Sequence, residues 1–150
     1  MSLFLTVSEQ ETLIAWAVSK VGCEPDTFGP SAEAVGVLDV GTGRIRAVMI
    51  LNGFIGDAAV LHFATDGTMG WATRDIVTKL FGYIFTFKGL ARVIGLTPCD
   101  NAPALKLAFK LGFQIEGRMR RNATGDADIM TSMFAEECHW LHTEKELADG

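Results

Sequence analysis

Cysteine, positive charge and long apolar runs are all in short supply in these 150 residues. Cys23, Cys99 and Cys138 form an odd, widely separated set with no CxxC pair. That excludes a disulfide framework and a zinc cluster, and the thiols are read as reduced and cytoplasmic. Lys and Arg number 13 against 18 Asp and Glu, a formal charge of −5, so general attraction to a nucleic-acid backbone is not expected. The most apolar stretch, Ala47 to Gly56, ends between Arg46 and Asp57 and falls short of the ~18 to 20 residues that a spanning helix needs. The amino terminus has no basic n-region, and no secretory signal is expected. No linker rich in Pro, Ser or Gly and no internal repeat divides the chain, so one domain over residues 1–150 is expected. What is present is apolar: 49% of the residues are hydrophobic and 21% charged, a composition that builds a core and lies far from disorder.

The apolar pattern changes period along the chain. Ser8 with Glu11 reads as a capping box, followed by Leu13, Ile14, Ala17 and Val21 at helical spacing, which predicts a helix over 8–21. Residues 23–31 carry two prolines and a glycine and read as a loop. Glu33 to Val40, Arg44 to Asn52 and Asp57 to Ala64 are β-branched and aliphatic runs separated by Gly-Thr-Gly and Asn-Gly-Phe-Ile-Gly turns, which predicts an antiparallel meander. Ala72, Ile76, Leu80, Tyr83, Ile84 and Phe87 then share one face of a long helix. Ala91 to Thr97 is a short buried strand, expected parallel to the strand before that helix. Asp100 or Asn101 caps the next helix, Pro103 sits in its first turn and Gly112 ends it. Phe113 to Arg120 and Asp128 to Phe134 form a final antiparallel pair, and a last helix is expected over about 136–147.

A strand that runs through a glycine-containing turn into a helix turns unsatisfied backbone N–H groups outward, which makes an anion site. Asp66-Gly67-Thr68-Met69-Gly70-Trp71-Ala72 supplies such a turn, and an ordinary strand-to-helix connection is the competing reading. The spacing matches neither Walker A nor GxGxxG, so neither a P-loop nor a dinucleotide fold is indicated.

The ordered pattern as a whole resembles the GNAT N-acetyltransferase superfamily. The likeness is carried by Asp100-Asn101-Ala102-Pro103-Ala104 through Leu111-Gly112-Phe113 to Glu116-Gly117-Arg118, which is similar to the branch that acetylates ribosomal-protein amino termini, and continues through Asp128 to Trp140. Small acetyltransferase-like proteins of phages and prophages are similar too. The resemblance implies an α/β fold with a mixed central sheet of about six or seven strands, an antiparallel amino-terminal meander, a central βαβ unit and helices on both faces. It implies acetyl-CoA as co-substrate, an amine of a protein, peptide or small molecule as acceptor, and no metal.

Position by position, the family's pyrophosphate turn falls on Gly67 to Ala72, where Gly70 and Ala72 match and Gly67 replaces a long polar residue. Thr73 or Arg74 is expected to compensate. Phe63 and Ala64 match the backbone that pairs with the pantetheine arm, and Asn101 matches an asparagine that contacts the cofactor. Met69 and Trp71 flank cofactor or acceptor, or belong to the core. The tyrosine with which many relatives protonate the departing thiolate is replaced by Ala108, and Ala104 stands where serine is common, which leaves a non-catalytic CoA-binding or assembly module as the alternative.

His62, on the strand that leads to the turn, is the candidate base, because an imidazole suits proton removal near neutral pH; a packed strand histidine is the other reading. Asp39 and Asp57 are alternative acceptors or plain turn carboxylates. Arg118, Arg120 and Arg121 either receive an acidic group or form a solvated face with Glu116, Asp126 or Asp128. Tyr83 reads as core, His139 and His142 as surface. The apolar strands near the carboxyl end suggest a homodimer.

Overall fold

The computed structural model describes residues 2–120 and 128–142. At its centre is a mixed sheet of β1 (Leu3–Thr6), β2 (Glu33–Asp39), β3 (Ile45–Ile55), β4 (Ala58–Thr65), β5 (Arg92–Pro98), β6 (Gln114–Met119) and β7 (Asp128–Phe134). The spatial order is β1-β2-β3-β4-β5-β7-β6, and every neighbouring pair is antiparallel except β4 with β5. Helix α1 (Gln10–Val21) lies between β1 and β2, α2 (Arg74–Phe81) between β4 and β5, and α3 (Ala102–Leu111) between β5 and β6. The expected meander, the parallel pair and the seven-stranded α/β sheet are all present among the described residues.

Alternation along β3 builds two cores. Val48 and Ile50 cluster with Leu13 and Ala17 of α1, whereas Ala47, Met49 and Leu51 point to the opposite face and cluster with Ile76, Leu80 and Phe81 of α2 and Leu111 of α3. Helices therefore cover both faces. Trp71 has no exposed surface, so the core reading holds for it, and its ring lies 5.8 Å from that of Phe63. Among the described residues, no helix is long and apolar enough to cross a membrane.

Several elements depart from the sequence reading. Leu3–Thr6, to which no element was assigned, is a strand because β2 offers it a full ladder from Asp39 back to Gly36. Four residues are too few to show a period on their own. The Ser8 to Glu11 capping box is absent: Glu9 occupies the N-cap with φ 60° and no side-chain cap, and the Ser8 N–H donates to Thr6 Oγ1 at 3.1 Å. Strand β3 runs on through Asn52-Gly53-Phe54 to Ile55, because a bulge between Asn52 and Ile55 absorbs Gly53 at φ 57°, and the hairpin turn shrinks to Gly56-Asp57.

Helix α2 starts at Arg74 instead of Ala72, since Thr73 caps it by accepting the Ile76 N–H at 3.2 Å. Beyond Phe81 the chain winds as a π-helix over Gly82–Phe87, with the Lys88 N–H donating to the Tyr83 carbonyl at 2.9 Å. The wider turn breaks the 3.6-residue phase. Ile84 and Phe85 are buried as a result, while Phe87, expected in the core, is 78% exposed and Tyr83 is half-buried. The expected carboxyl-terminal helix is only a 3-10 turn at Ala135–Glu137, after which Trp140 Nε1 donates to the Leu111 carbonyl at 2.8 Å. The rest of that expected helix, from 143 on, lies outside the described residues, as do Arg121 and Asp126.

Candidate active site

The parallel pair is short. Ala58, Ala59 and Val60 pair with Arg92, Val93 and Ile94, and there the β4–β5 register stops. Each strand then stays with its other neighbour: β4 with β3 as far as Thr65, and β5 with β7 as far as Pro98. Leu61 to Ala64 and Gly95 to Thr97 are thereby left with backbone donors and acceptors that have no partner strand across the gap, and such groups require satisfaction from some other source. A cavity of about 630 Å³ fills the opening. That is within the roughly 300 to 1,000 Å³ of small-molecule sites. Ala104, Leu107 and Ala108 of α3 form its apolar wall, and Lys20, Val21 and Phe28 close the α1 side.

The segment after β4 is pinned from one side. Arg46 Nε bonds the Asp66 carboxylate, and Arg46 Nη2 donates to Thr68 Oγ1 at 3.0 Å. Asp66 Oδ1 in turn accepts the Thr68 N–H at 3.0 Å and its hydroxyl at 2.6 Å. Burial pulls the Asp66 pKa up, but the bonds from Thr68 and Arg46 outweigh it and hold the carboxyl below its ordinary value. Gly67 takes φ 90°, with open space where a Cβ would stand. Its N–H is spent on Thr65 Oγ1 and that of Ala72 on the Met69 carbonyl. The N–H groups of Met69, Gly70 and Trp71 have no partner among the described residues. Met69 and Gly70 are exposed and Trp71 is buried, so the usable donors of the turn are the N–H groups of 69 and 70, just before α2.

His62 lines the cleft and is half-buried. Its Nε2 lies 2.8 Å from Asn52 Oδ1, and the Phe28 ring meets it edge-on at 5.1 Å. Desolvation by burial lowers its pKa below 6.5, which keeps the ring neutral at neutral pH.

Of the other residues named from the sequence, Phe63, Ala64, Gly67, Met69 and Asn101 also line the cleft. Gly70, Ala72, Thr73 and Arg74 do not: Thr73 is engaged as the α2 cap, and the Arg74 guanidinium sits 5.8 Å from the Trp140 ring. Asn101 caps α3 by accepting the Ala104 N–H at 3.3 Å. Asp39 and Asp57 stand outside the cleft lining, and Asp39 Oδ1 accepts the Gly41 N–H at 2.8 Å. Arg118 and Arg120 are exposed, and Glu116 bonds the Ser132 hydroxyl. No cluster of three metal-ligating side chains occurs among the described residues. Sequence reasoning missed Asn52, Phe28, Gly95 and Thr131. A glycine inside the β5 pattern was the one available signal, because mid-strand glycine marks a close backbone approach.

The mixed sheet, split beyond its single parallel pair among the described residues, shares its fold with solved acetyltransferases, one of them described as GNAT family. Solved structures agree with this at low sequence identity. A spermidine N-acetyltransferase mutant from Vibrio cholerae is 13% identical with a TM-score of 0.74, over 93% of this chain and 96% of that one. The ribosomal-protein-S5-alanine acetyltransferase of Vibrio fischeri is 15% identical with a TM-score of 0.67, over 91% and 93%. A GNAT-family acetyltransferase from Bacillus anthracis is 16% identical with a TM-score of 0.60, over 69% and 67%. No protein-family model and no curated protein matches the sequence.

Proposed function

We propose that this protein is an N-acetyltransferase that moves an acetyl group from acetyl-CoA to an amine of a protein, peptide or small molecule. The observation that carries the reading is the abrupt end of the β4–β5 register at Val60 and Ile94, with the cleft beginning at the next residues. A pantetheine arm is a chain of amides, and the unpaired edges of Leu61 to Ala64 and Gly95 to Thr97 offer it the backbone partners that the two strands deny each other. The turn fits the other end of the same ligand. Gly67 leaves room for close approach, and the exposed N–H groups of Met69 and Gly70 are free to hold a diphosphate beside the start of α2. Asn101 borders the cleft from α3. Thr73 and Arg74 contribute by capping and packing α2, which fixes the turn.

Bound acetyl-CoA supplies an activated acyl group. The chain's own part is to hold thioester and amine together, which can contribute up to roughly 7 to 11 kcal/mol, and to take the amine's proton. His62, neutral and on the cleft wall, performs the second task. The spermidine and S5-alanine acetyltransferases that share the fold have amine acceptors, and the proposal extends that chemistry to this chain.

The second reading, a CoA-binding module without turnover, is favoured by Ala108 at the position where many relatives carry tyrosine. One experiment separates the two. Purified protein incubated with acetyl-CoA and a panel of amines, peptides and amino acids is expected to release free thiol above background. CoA binding without thiol release selects the module, and no binding at millimolar CoA rejects both.

A further inference from the structure

Asn52 and His62 are diagonal neighbours on adjacent strands, since the β3–β4 register pairs Asn52 with Val60 and His62 with Ile50. Asn52 Nδ2 donates to the Phe28 carbonyl at 3.1 Å. A carbonyl oxygen only accepts, so this contact fixes the nitrogen end of the amide there and turns the oxygen end toward His62 Nε2 at 2.8 Å. An amide oxygen also only accepts, so Nε2 must carry the proton. In the neutral ring, that leaves Nδ1 as the sole lone pair. Nδ1 has no partner among the described residues and is not among the unpartnered atoms sealed from solvent.

We propose that Asn52 is a positioning residue that locks His62 in the Nε2–H tautomer, so that Nδ1 is the atom that receives the proton of the acceptor amine. The lock is set by the Phe28 carbonyl, so the base is tied to the loop over residues 23–32 that closes the α1 side of the cleft. The proposal rests on the acetyltransferase reading for its purpose, and on geometry alone for the tautomer. The groups that face His62 are Asn52 and Ile50 from β3 and Phe28 from the loop. Lys20, at the end of α1, is the charged residue among the described cleft lining, which contains no carboxylate. No described residue donates a hydrogen bond to Nδ1, and no lining carboxylate competes with it for the proton of the substrate. The step balances: Nδ1 takes one proton from the attacking neutral amine as its nitrogen bonds to the acyl carbon, the C–S bond of the thioester breaks with its electron pair so that CoA leaves as thiolate, and the imidazolium returns its proton to solvent.

The test uses the full chain and two readouts. Nitrogen-15 shifts of the His62 ring report its tautomer whether or not turnover occurs, and acetyl-CoA-dependent thiol release against pH reports the rate. Wild type is expected to show Nε2 protonated and Nδ1 bare. Asn52→Leu removes the acceptor and is expected to mix the tautomers and lower kcat roughly tenfold or more, with KM for acetyl-CoA unchanged. Asn52→Asp keeps an acceptor oxygen at Nε2, so it is expected to hold the tautomer and recover kcat on the alkaline side. Its acid limb should move to higher pH, because a carboxylate favours the imidazolium. Should Asn52→Leu fail to fold, the Asp variant and the wild-type ring shifts still decide. A wild-type ring protonated at Nδ1 overturns the proposal, as does an Asp variant with the wild-type pH profile. Ring shifts as expected in a protein that releases no thiol would instead overturn the acetyltransferase reading and leave the tautomer assignment standing.

Discussion

Gly95 sits where β5 parts from β4, and its missing side chain is what allows β5 to lie against β7 without strain. It pairs with Thr131, which has no exposed surface and whose Oγ1 makes no hydrogen bond. A Cβ built on Gly95 would stand 2.8 Å from that Oγ1. Thr131 is β-branched and closely packed, so turning it away brings its methyl toward the same space, and both strands are held by an unbroken ladder from Arg92 to Pro98. Gly95→Ala is therefore expected to cost about 1 to 3 kcal/mol, the usual range for overpacking. For a chain of this size that lowers Tm by roughly 2 to 12 °C. Thr131→Ala removes an unpartnered hydroxyl and a methyl and should cost only about 1 kcal/mol. In the double variant the new methyl occupies the vacated space, so its loss should fall short of the sum by about 0.5 to 2 kcal/mol. Urea denaturation followed by tryptophan fluorescence measures all four corners of the cycle. Additivity within about 0.5 kcal/mol, or a Gly95→Ala single variant as stable as wild type, refutes the account.

Two further outcomes follow from the site. Gly70→Glu places a carboxylate among the free N–H groups of the turn and should abolish CoA binding in a calorimetric titration while Tm holds near wild type, because position 70 is exposed. The pH dependence of stability carries a sign set by His62, whose folded pKa is depressed below the 6.5 of the free side chain. Its contribution is complete above about 6.5 and is lost as pH falls through the folded value, where the buried ring must charge. Asp66, also depressed, begins to contribute loss only below its ordinary 3.8, so the two windows separate. Denaturation midpoints between about pH 4.5 and 7 should decline toward acid in wild type and flatten in His62→Gln.

The parts of the fold that were legible are those whose signal is local. Asn101 and Gly112 bracket α3 by a side-chain cap and a left-handed glycine at φ 107°, and both act over a single turn of chain. Strands β2, β4 and β5 announce themselves by composition and flanking turns. The elements that escaped depend on distant partners. Leu3–Thr6 becomes a strand only through β2, and the π-helical stretch at Gly82–Phe87 breaks a period that the sequence carries without interruption through Tyr83 and Phe87. Asn52 read as half of an Asn-Gly turn because its neighbour is glycine. That glycine instead serves a bulge, and the bulge keeps Asn52 in the strand beside His62. The glycines of the anion turn could be found from sequence. The donors actually left free could not, because Asp66 and Thr65 consume the N–H groups of Thr68 and Gly67.

Where the chemistry needs help can be decided from the two protons that must move. An alkyl amine of pKa ~10.4 is almost wholly protonated at pH 7, so generating its nucleophilic form is uphill by more than three pH units, whereas a thiol of pKa ~8.5 leaves as thiolate against a gap of only about 1.5 units. Once the neutral amine attacks, its nitrogen must still shed a proton, whereas the thiolate can leave unprotonated against the smaller gap, so a base is worth more than an acid in this reaction. His62 and Lys20 are the ionisable side chains among the described lining residues, and His62, held below 6.5 by burial, is the one proposed as that base. Ala108, opposite on the α3 wall, gives up the smaller of the two contributions. Ala108→Tyr compared with Ala108→Phe isolates a hydroxyl at that position with bulk held constant. The ratio of their kcat values should not exceed roughly 30, the factor that 1.5 units allows. A ratio in the thousands, or turnover that appears only with tyrosine in place, would mean that leaving-group protonation limits this cleft and that His62 alone cannot drive it.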